Sequence, residues 1–170
     1  MMKTTQVQDD LNNTFSNLEK VISLIEQEDF NKIPFPNSWT AGQVVQHIVL
    51  ASGGFAEILN ATVKPSDRPA DELIPRIKAD FLNFGIKMKS PDFILPDDKT
   101  YNKDELLKTV QGIKTSISKE IDALDLTQLC LAFELPVYGF LTRLEAIYFV
   151  IYHTQRHVHQ LNNIAHQLAD

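Results

Sequence analysis

The feature that most constrains this sequence is a set of four long segments in which apolar residues recur at helical spacing. Apolar side chains three and four positions apart lie on one face of a helix, so each segment predicts an amphipathic helix with one buried face. The segments run from about 5 to 28, 40 to 63, 102 to 124 and 142 to 168. Pro34 and Pro36 follow the first segment and prevent that helix from continuing.

Three of these segments begin with a polar residue that can cap a helix, followed three positions later by Glu or Gln. In such a capping box the two side chains bond the free backbone N–H groups of the first turn. The pairs are Thr40 with Gln43, Asn102 with Glu105, and Thr142 with Glu145. They support the predicted helix starts.

The connection between the second and third helices is long and rich in proline. We expect it to hold one short helix within residues 70–84 and otherwise to be irregular. Residues 135–139 predict a short extended or turn segment before the last helix, and no segment shows a convincing strand pattern. The sequence therefore predicts an all-α protein in which residues 1–170 form one four-helix bundle, with a crossover between helices 2 and 3.

Composition narrows the classes of function. The net charge is −6 and no stretch concentrates Lys and Arg, so we expect no nucleic-acid partner. The single cysteine, Cys130, cannot form an intramolecular disulfide and is compatible with a reducing compartment. Residues 1–10 lack the apolar core of a secretory signal, and the apolar stretch 146–152 is too short to cross a bilayer. We expect a cytoplasmic protein without a membrane partner.

Two of the five histidines, His153 and His157, are four positions apart in the last predicted helix. They differ by about 40° of rotation, so their imidazoles project from one face close enough to bind one metal ion. His159 and His166 lie about 200° and 180° around the helix from His157 and are expected at the surface or an interface. Gln160, three residues after His157, could reach a metal-bound water or a neighbouring backbone group.

His47 lies well inside the second predicted helix, beside an apolar stripe. Two interpretations are open for this residue. A buried neutral imidazole must satisfy two ring nitrogens, and a metal ion can satisfy one of them. Alternatively, His47 is a core histidine whose ring is hydrogen-bonded to a backbone carbonyl.

Two sequence motifs resemble those of one known family. The run from Trp39 to His47, with Thr40 at the cap, resembles the helix-two motif of the DinB/YfiT-like proteins. The run from Tyr152 to Leu161 resembles their last-helix motif His-x-x-x-His-x-x-Gln, and residues 89–96 resemble the proline-bearing crossover of some members.

This resemblance implies a four-helix bundle whose metal ligands are His47, His153 and His157, with zinc or nickel as the ion. It also implies a homodimer, and a transferase that activates a low-molecular-weight thiol for attack on an electrophile. Many members carry Arg-Gly after the last ligand, where this chain has Val158 and His159. The chain therefore lacks, at that place, an arginine that could contact a substrate anion.

Three functional hypotheses remain open from the sequence. Because imidazole is neutral, three histidine ligands leave a bound divalent ion its full charge. They also leave coordination positions open for water or substrate, which is typical of a catalytic site. Such an ion could stabilise a thiolate for a transferase, or lower the pKa of a bound water for a hydrolase. In the third hypothesis the protein is not an enzyme, and the bundle binds a metal or an apolar ligand in a stress response.

Overall fold

The structure, a computed structural model, describes residues 3–169 of the chain. Helices dominate this part, and three short strands accompany them. In chain order the elements are α1 (Thr4–Ser23), α2 (Ala41–Ser52), α3 (Phe55–Asn60), β1 (Val63–Lys64), α4 (Ile74–Phe81), a 3-10 turn (Asp92–Ile94), α5 (Lys103–Ala123), β2 (Leu129–Leu135), β3 (Gly139–Thr142) and α6 (Arg143–Ala169).

Four long helices form the bundle: α1 and α2 each pack against both α5 and α6. The apolar stripes predicted from the sequence face this interior, and in α1 the side chains of Val7, Leu11 and Phe15 are fully buried. The first half of α6 is buried on every side, from Arg143 to Thr154. This central position of α6 brings His153 into the core, and the predicted four-helix bundle is confirmed.

Helices α2 and α6 run antiparallel to each other. His47 near the middle of α2 meets His153, while Phe55, just beyond α2, stacks on Phe149 with ring centroids 5.5 Å apart. Further along, the Arg143 side chain donates to the carbonyl of Leu59. Because the two helices run in opposite directions, one ligand from α2 can face two ligands one turn apart on α6.

The all-α prediction was incomplete, because the described chain contains a small antiparallel sheet in the order β1-β2-β3. Val63 lies opposite Cys130, and Leu135 lies opposite Gly139. The predicted turn at residues 135–139 is the hairpin that joins β2 to β3. The sheet was not predicted because β1 has only two residues and its partner β2 lies far away in the sequence. Pairing between such distant segments leaves no local sequence pattern.

Two predicted helices are shorter than expected. The first was predicted to reach residue 28 but ends at Ser23, and the backbone beyond it bonds elsewhere: the Ile25 carbonyl accepts from Lys103 Nζ. The second was predicted as one helix from 40 to 63, but it breaks at Gly53 and Gly54 into α2 and α3. Two adjacent glycines lower helix propensity enough to permit this break.

The caps are found where they were predicted. Thr40 and Gln43 form a reciprocal capping box at α2, and Thr142 and Glu145 do the same at α6. Asn102 accepts from the Glu105 backbone N–H at the start of α5. No helix within residues 3–169 has the length and apolar character needed to cross a membrane.

The crossover between α3 and α5 contains β1, α4 and the 3-10 turn. Its predicted helix within residues 70–84 is α4, and α4 packs against α6. The 3-10 turn packs against α2. The crossover therefore covers the face of the bundle where α2 and α6 carry their histidines.

Candidate metal centre

Three histidines from two helices converge in the interior of the bundle. His47 comes from α2, and His153 and His157 come from successive turns of α6. Their side chains are 1%, 5% and 8% exposed, respectively. A metal ion in a protein is commonly held by three or more His, Cys, Asp or Glu side chains. Within residues 3–169, these three histidines form the one such group whose ligand atoms lie close enough together to share an ion.

The three Nε2 atoms face one another at distances suited to a shared ion. His153 Nε2 lies 3.1 Å from His47 Nε2 and 3.2 Å from His157 Nε2. Nitrogen ligands at 2.0–2.1 Å from a tetrahedral zinc ion are about 3.3 Å apart. Two of the three spacings are therefore close to those of a zinc site, and all three ligand atoms lie within 4.8 Å of one another.

Hydrogen bonds fix the tautomer of two of the imidazoles. His47 donates from Nδ1 to the carbonyl of Ile94, and His157 donates from Nδ1 to Oε1 of Gln160, both at 2.8 Å. A neutral imidazole protonated on Nδ1 carries a lone pair on Nε2. Both lone pairs point at His153, whose Nε2–H could satisfy only one of them. A cation at the centre would satisfy all three nitrogens.

Burial keeps the imidazoles neutral. It lowers the pKa of His47 and lowers that of His153 well below the ordinary value. Burial, together with repulsion from His47, lowers the pKa of His157 to about 3. Since a metal ion binds only the deprotonated nitrogen, a site whose histidines are already neutral needs no proton loss before the ion binds.

Packing surrounds the third imidazole. The ring of His153 stacks on Phe149 at 5.6 Å between centroids and meets Phe81 edge-on at 5.8 Å. Its Nδ1 is buried and has no hydrogen-bond partner among the described residues. His153 therefore differs from His47 and His157, whose rings are oriented by hydrogen bonds.

Other residues weighed from the sequence lie away from this cluster. His159 is exposed and stacks on Phe84 at 4.0 Å, and His166 is also exposed. Cys130 is buried on β2, and burial raises the pKa of its thiol. Glu145 is fully buried but bonds the guanidinium of Arg68. Gln160 contacts the Nδ1 of His157, so it could orient that imidazole.

Several groups at the centre were not found from the sequence. The carbonyl of Ile94 gives no side-chain signal, since any residue at that position supplies the same oxygen. Phe81 could be recognised only as an apolar residue of α4, because its contact with His153 depends on how the crossover folds. Trp39, with its ring 5.2 Å from that of His47, was part of the recognised motif but had no assigned contact.

The comparison with family models identifies the class of protein. The model of the DinB superfamily matches residues 10–161 of the chain. The chain therefore belongs to the DinB superfamily, which confirms the resemblance seen in its two histidine motifs.

One solved structure is similar along nearly the whole chain. It is YfiT from Bacillus subtilis, described as a probable metal-dependent hydrolase with an unusual four-helix bundle topology. The match has a TM-score of 0.63 and 14% sequence identity, and it covers 99% of this chain and 90% of YfiT. At this identity the similarity shows a shared fold. No curated protein sequence matches the chain.

Proposed function

We propose that His47, His153 and His157 hold one divalent transition metal ion, zinc or nickel, and that the protein is a metal-dependent transferase of a small thiol. The observation that carries the proposal is the convergence of three Nε2 atoms, two of which must present lone pairs. Imidazole nitrogen suits zinc and nickel, whereas magnesium and calcium prefer oxygen ligands.

The position of the carboxylates favours a thiol as the nucleophile. Glu145 is occupied by Arg68 and by backbone N–H groups, and Glu105 is exposed at the start of α5. A hydrolase that uses a metal-bound water commonly also needs a nearby general acid or base for its leaving group, whereas a thiol, with a pKa of about 8.5, can ionise on the metal and attack without one. When bound, the ion supplies positive charge that favours the thiolate.

The chain's own residues would prepare the site for this chemistry. Ile94 and Gln160 hold two imidazoles in the tautomer that binds metal, and the aromatic rings of Phe81 and Phe149 exclude water from the third. Exclusion of water strengthens the attraction between a cation and a bound anion. The substrate in this proposal is a small thiol together with an electrophile that accepts its sulfur.

The test is thiol consumption with a panel of electrophiles. The zinc-loaded and nickel-loaded proteins are compared with the chelated protein and with loaded His47→Ala, using low-molecular-weight thiols of different charge. We expect consumption that requires both the metal and His47. No metal-dependent consumption with any thiol and electrophile would contradict the transferase.

Metal-dependent hydrolysis is the second candidate, favoured by the description of YfiT as a probable metal-dependent hydrolase. The same preparations are tested on model esters and amides in the absence of thiol. Cleavage that is lost with chelator or in His47→Ala would favour the hydrolase, and equal rates with and without metal would exclude it for those substrates.

A further inference from the structure

His153 is the candidate ligand whose ring orientation depends on packing. The Nδ1 atoms of His47 and His157 donate to oxygen atoms, whereas the buried Nδ1 of His153 has no partner within residues 3–169. Metal-binding histidines usually donate their second ring nitrogen to a partner that fixes the ring. For His153, the rings of Phe81 and Phe149 occupy the positions beside the imidazole.

The two aromatic neighbours differ in how firmly they are held. Phe149 lies one turn before His153 on α6, so the helix itself fixes its position. Phe81 is the last residue of α4 and also packs edge-on against Phe149, at 5.3 Å between centroids. Its position depends on how the C-terminal end of α4 is attached to α6.

Arg156 makes that attachment. Its Nη1 donates to the carbonyls of Phe81 and Asn83, at 3.1 and 3.0 Å, and its Nη2 donates to the carbonyl of Ile86. The carbonyls at a helix C-terminus lack partners within the helix and carry partial negative charge, so a guanidinium binds them well. Arg156 forms no ion pair with a carboxylate among the described residues.

We propose that Arg156 is a positioning residue for the metal ligand His153 and acts through Phe81. Arg156 fixes the end of α4, the end of α4 fixes the ring of Phe81, and that ring holds the imidazole in the orientation that directs Nε2 to the shared point. The inference rests on the proposed metal site and adds to it the means by which its third ligand is oriented.

The direction in which zinc affinity changes when Arg156 is removed distinguishes a positioning role from a purely electrostatic one. The charge of Arg156 contributes to lowering the pKa of both His153 and His157, so this cation acts on the site. A cation near the ligands repels a divalent ion. If charge alone mattered, removal of Arg156 would tighten zinc binding. If positioning dominates, removal weakens it.

The experiment measures zinc affinity by competition with a chromogenic chelator for the full-length wild type, Arg156→Gln, Phe81→Leu and the double variant. Lys78→Gln is the matched control, because Lys78 is an exposed cation on α4 whose side chain makes no hydrogen bond or ion pair with the described residues. We expect each single variant to bind zinc 10- to 100-fold more weakly, the usual effect of losing a residue that orients a metal ligand. Because both residues act by one route, the double variant should bind little more weakly than the singles.

A second readout reports the geometry of the site. The visible absorption of bound Co²⁺ depends on how its ligands are arranged, and it should change in Arg156→Gln and Phe81→Leu but not in Lys78→Gln. Circular dichroism and the thermal midpoint show whether each variant is folded. If Arg156→Gln does not fold, Arg156→Lys takes its place in the comparison of single and double variants. Lysine keeps the charge but lacks the planar guanidinium that bonds several carbonyls.

Tighter or unchanged zinc binding in Arg156→Gln, with an unchanged Co²⁺ spectrum, would overturn the inference while leaving the metal site intact. Additive losses in the double variant would also overturn it, because they would show that Arg156 does not act through Phe81. Failure of the wild type to bind zinc or cobalt would instead refute the metal site itself.

Discussion

At the scale of residues, each ring nitrogen of the three histidines has a distinct environment. Three Nε2 atoms converge, two Nδ1 atoms donate to oxygen, and the Nδ1 of His153 is buried without a partner among the described residues. An arrangement with two obligatory lone pairs facing a third nitrogen is unfavourable without a cation. This arrangement of the ring nitrogens is the observation on which the proposed metal site rests.

Gln160 provides the residue-scale prediction. Gln160→Leu removes the acceptor for His157 Nδ1–H, and we expect zinc to bind 10- to 100-fold more weakly, as for other residues that orient metal ligands. Gln167→Leu is the matched control, because Gln167 is exposed near the end of the same helix. Chelator competition measures both variants, and equal zinc affinity for Gln160→Leu and the wild type would contradict the assigned role.

The sequence predicted which three histidines lie together, but it did not predict most of their contacts. The spacing of His153 and His157 follows from helix geometry, so their shared face was predictable. For His47, the Nδ1 bonds a backbone carbonyl, as one of the two interpretations predicted, and the Nε2 lies beside His153. Its role as a metal ligand stays a prediction. The carbonyl of Ile94 and the ring of Phe81 come from the crossover, whose path depends on tertiary packing.

At the scale of elements, Glu145 joins three parts of the chain. It caps α6 through the Thr142 backbone N–H, accepts from the Leu73 N–H at the start of α4, and binds the guanidinium of Arg68 at 2.5 and 2.7 Å. The sequence predicted the cap, because a Thr-x-x-Glu box is local. It could not predict the ion pair, whose partners are far apart in the chain.

We therefore expect Glu145→Ala to lower the free energy of unfolding by about 1–3 kcal/mol, since it removes the acceptor for two backbone N–H groups and leaves the partly buried guanidinium of Arg68 without its charged partner. In Arg68→Ala/Glu145→Ala the total loss should be smaller than the sum of the single losses, by about 0.5–3 kcal/mol. Urea denaturation of the four proteins measures this cycle. Additive losses would show that the ion pair contributes no coupling.

Helices α1 and α6 are joined by a hydrogen bond from the Tyr148 hydroxyl to Asp10 Oδ2, at 2.6 Å. Burial, followed by this bond and the charge of Asp10, raises the pKa of Tyr148. Above about pH 10 the unfolded chain loses this proton while the folded chain keeps it, so the free energy of unfolding should fall as the pH rises. In Tyr148→Phe the decline between pH 9 and 11 should be shallower, as measured by urea denaturation, and an equal slope would contradict this account.

At the scale of the whole molecule, the bundle and its crossover were predictable because four amphipathic stripes leave few ways to bury their apolar faces. The sheet was not predictable, because its pairing depends on contacts between distant segments. The structure also leaves several large apolar side chains exposed, among them Ile33, Phe93 and Val137, at 68%, 65% and 81%.

We predict that the protein is a homodimer, as the family resemblance implies. Light scattering coupled to size exclusion should give twice the chain mass of 19.3 kDa at micromolar concentration. A mass of one chain across the concentration range would contradict the prediction.

The central claim is that three imidazoles hold one divalent ion, and zinc K-edge X-ray absorption tests it most directly. The protein is purified without a histidine tag, loaded with zinc and measured beside His47→Ala. The account predicts one zinc per chain with three imidazole nitrogens at about 2.0–2.1 Å, and one imidazole fewer in the variant. A wild-type protein that retains no zinc, or a zinc environment unchanged by His47→Ala, would contradict it.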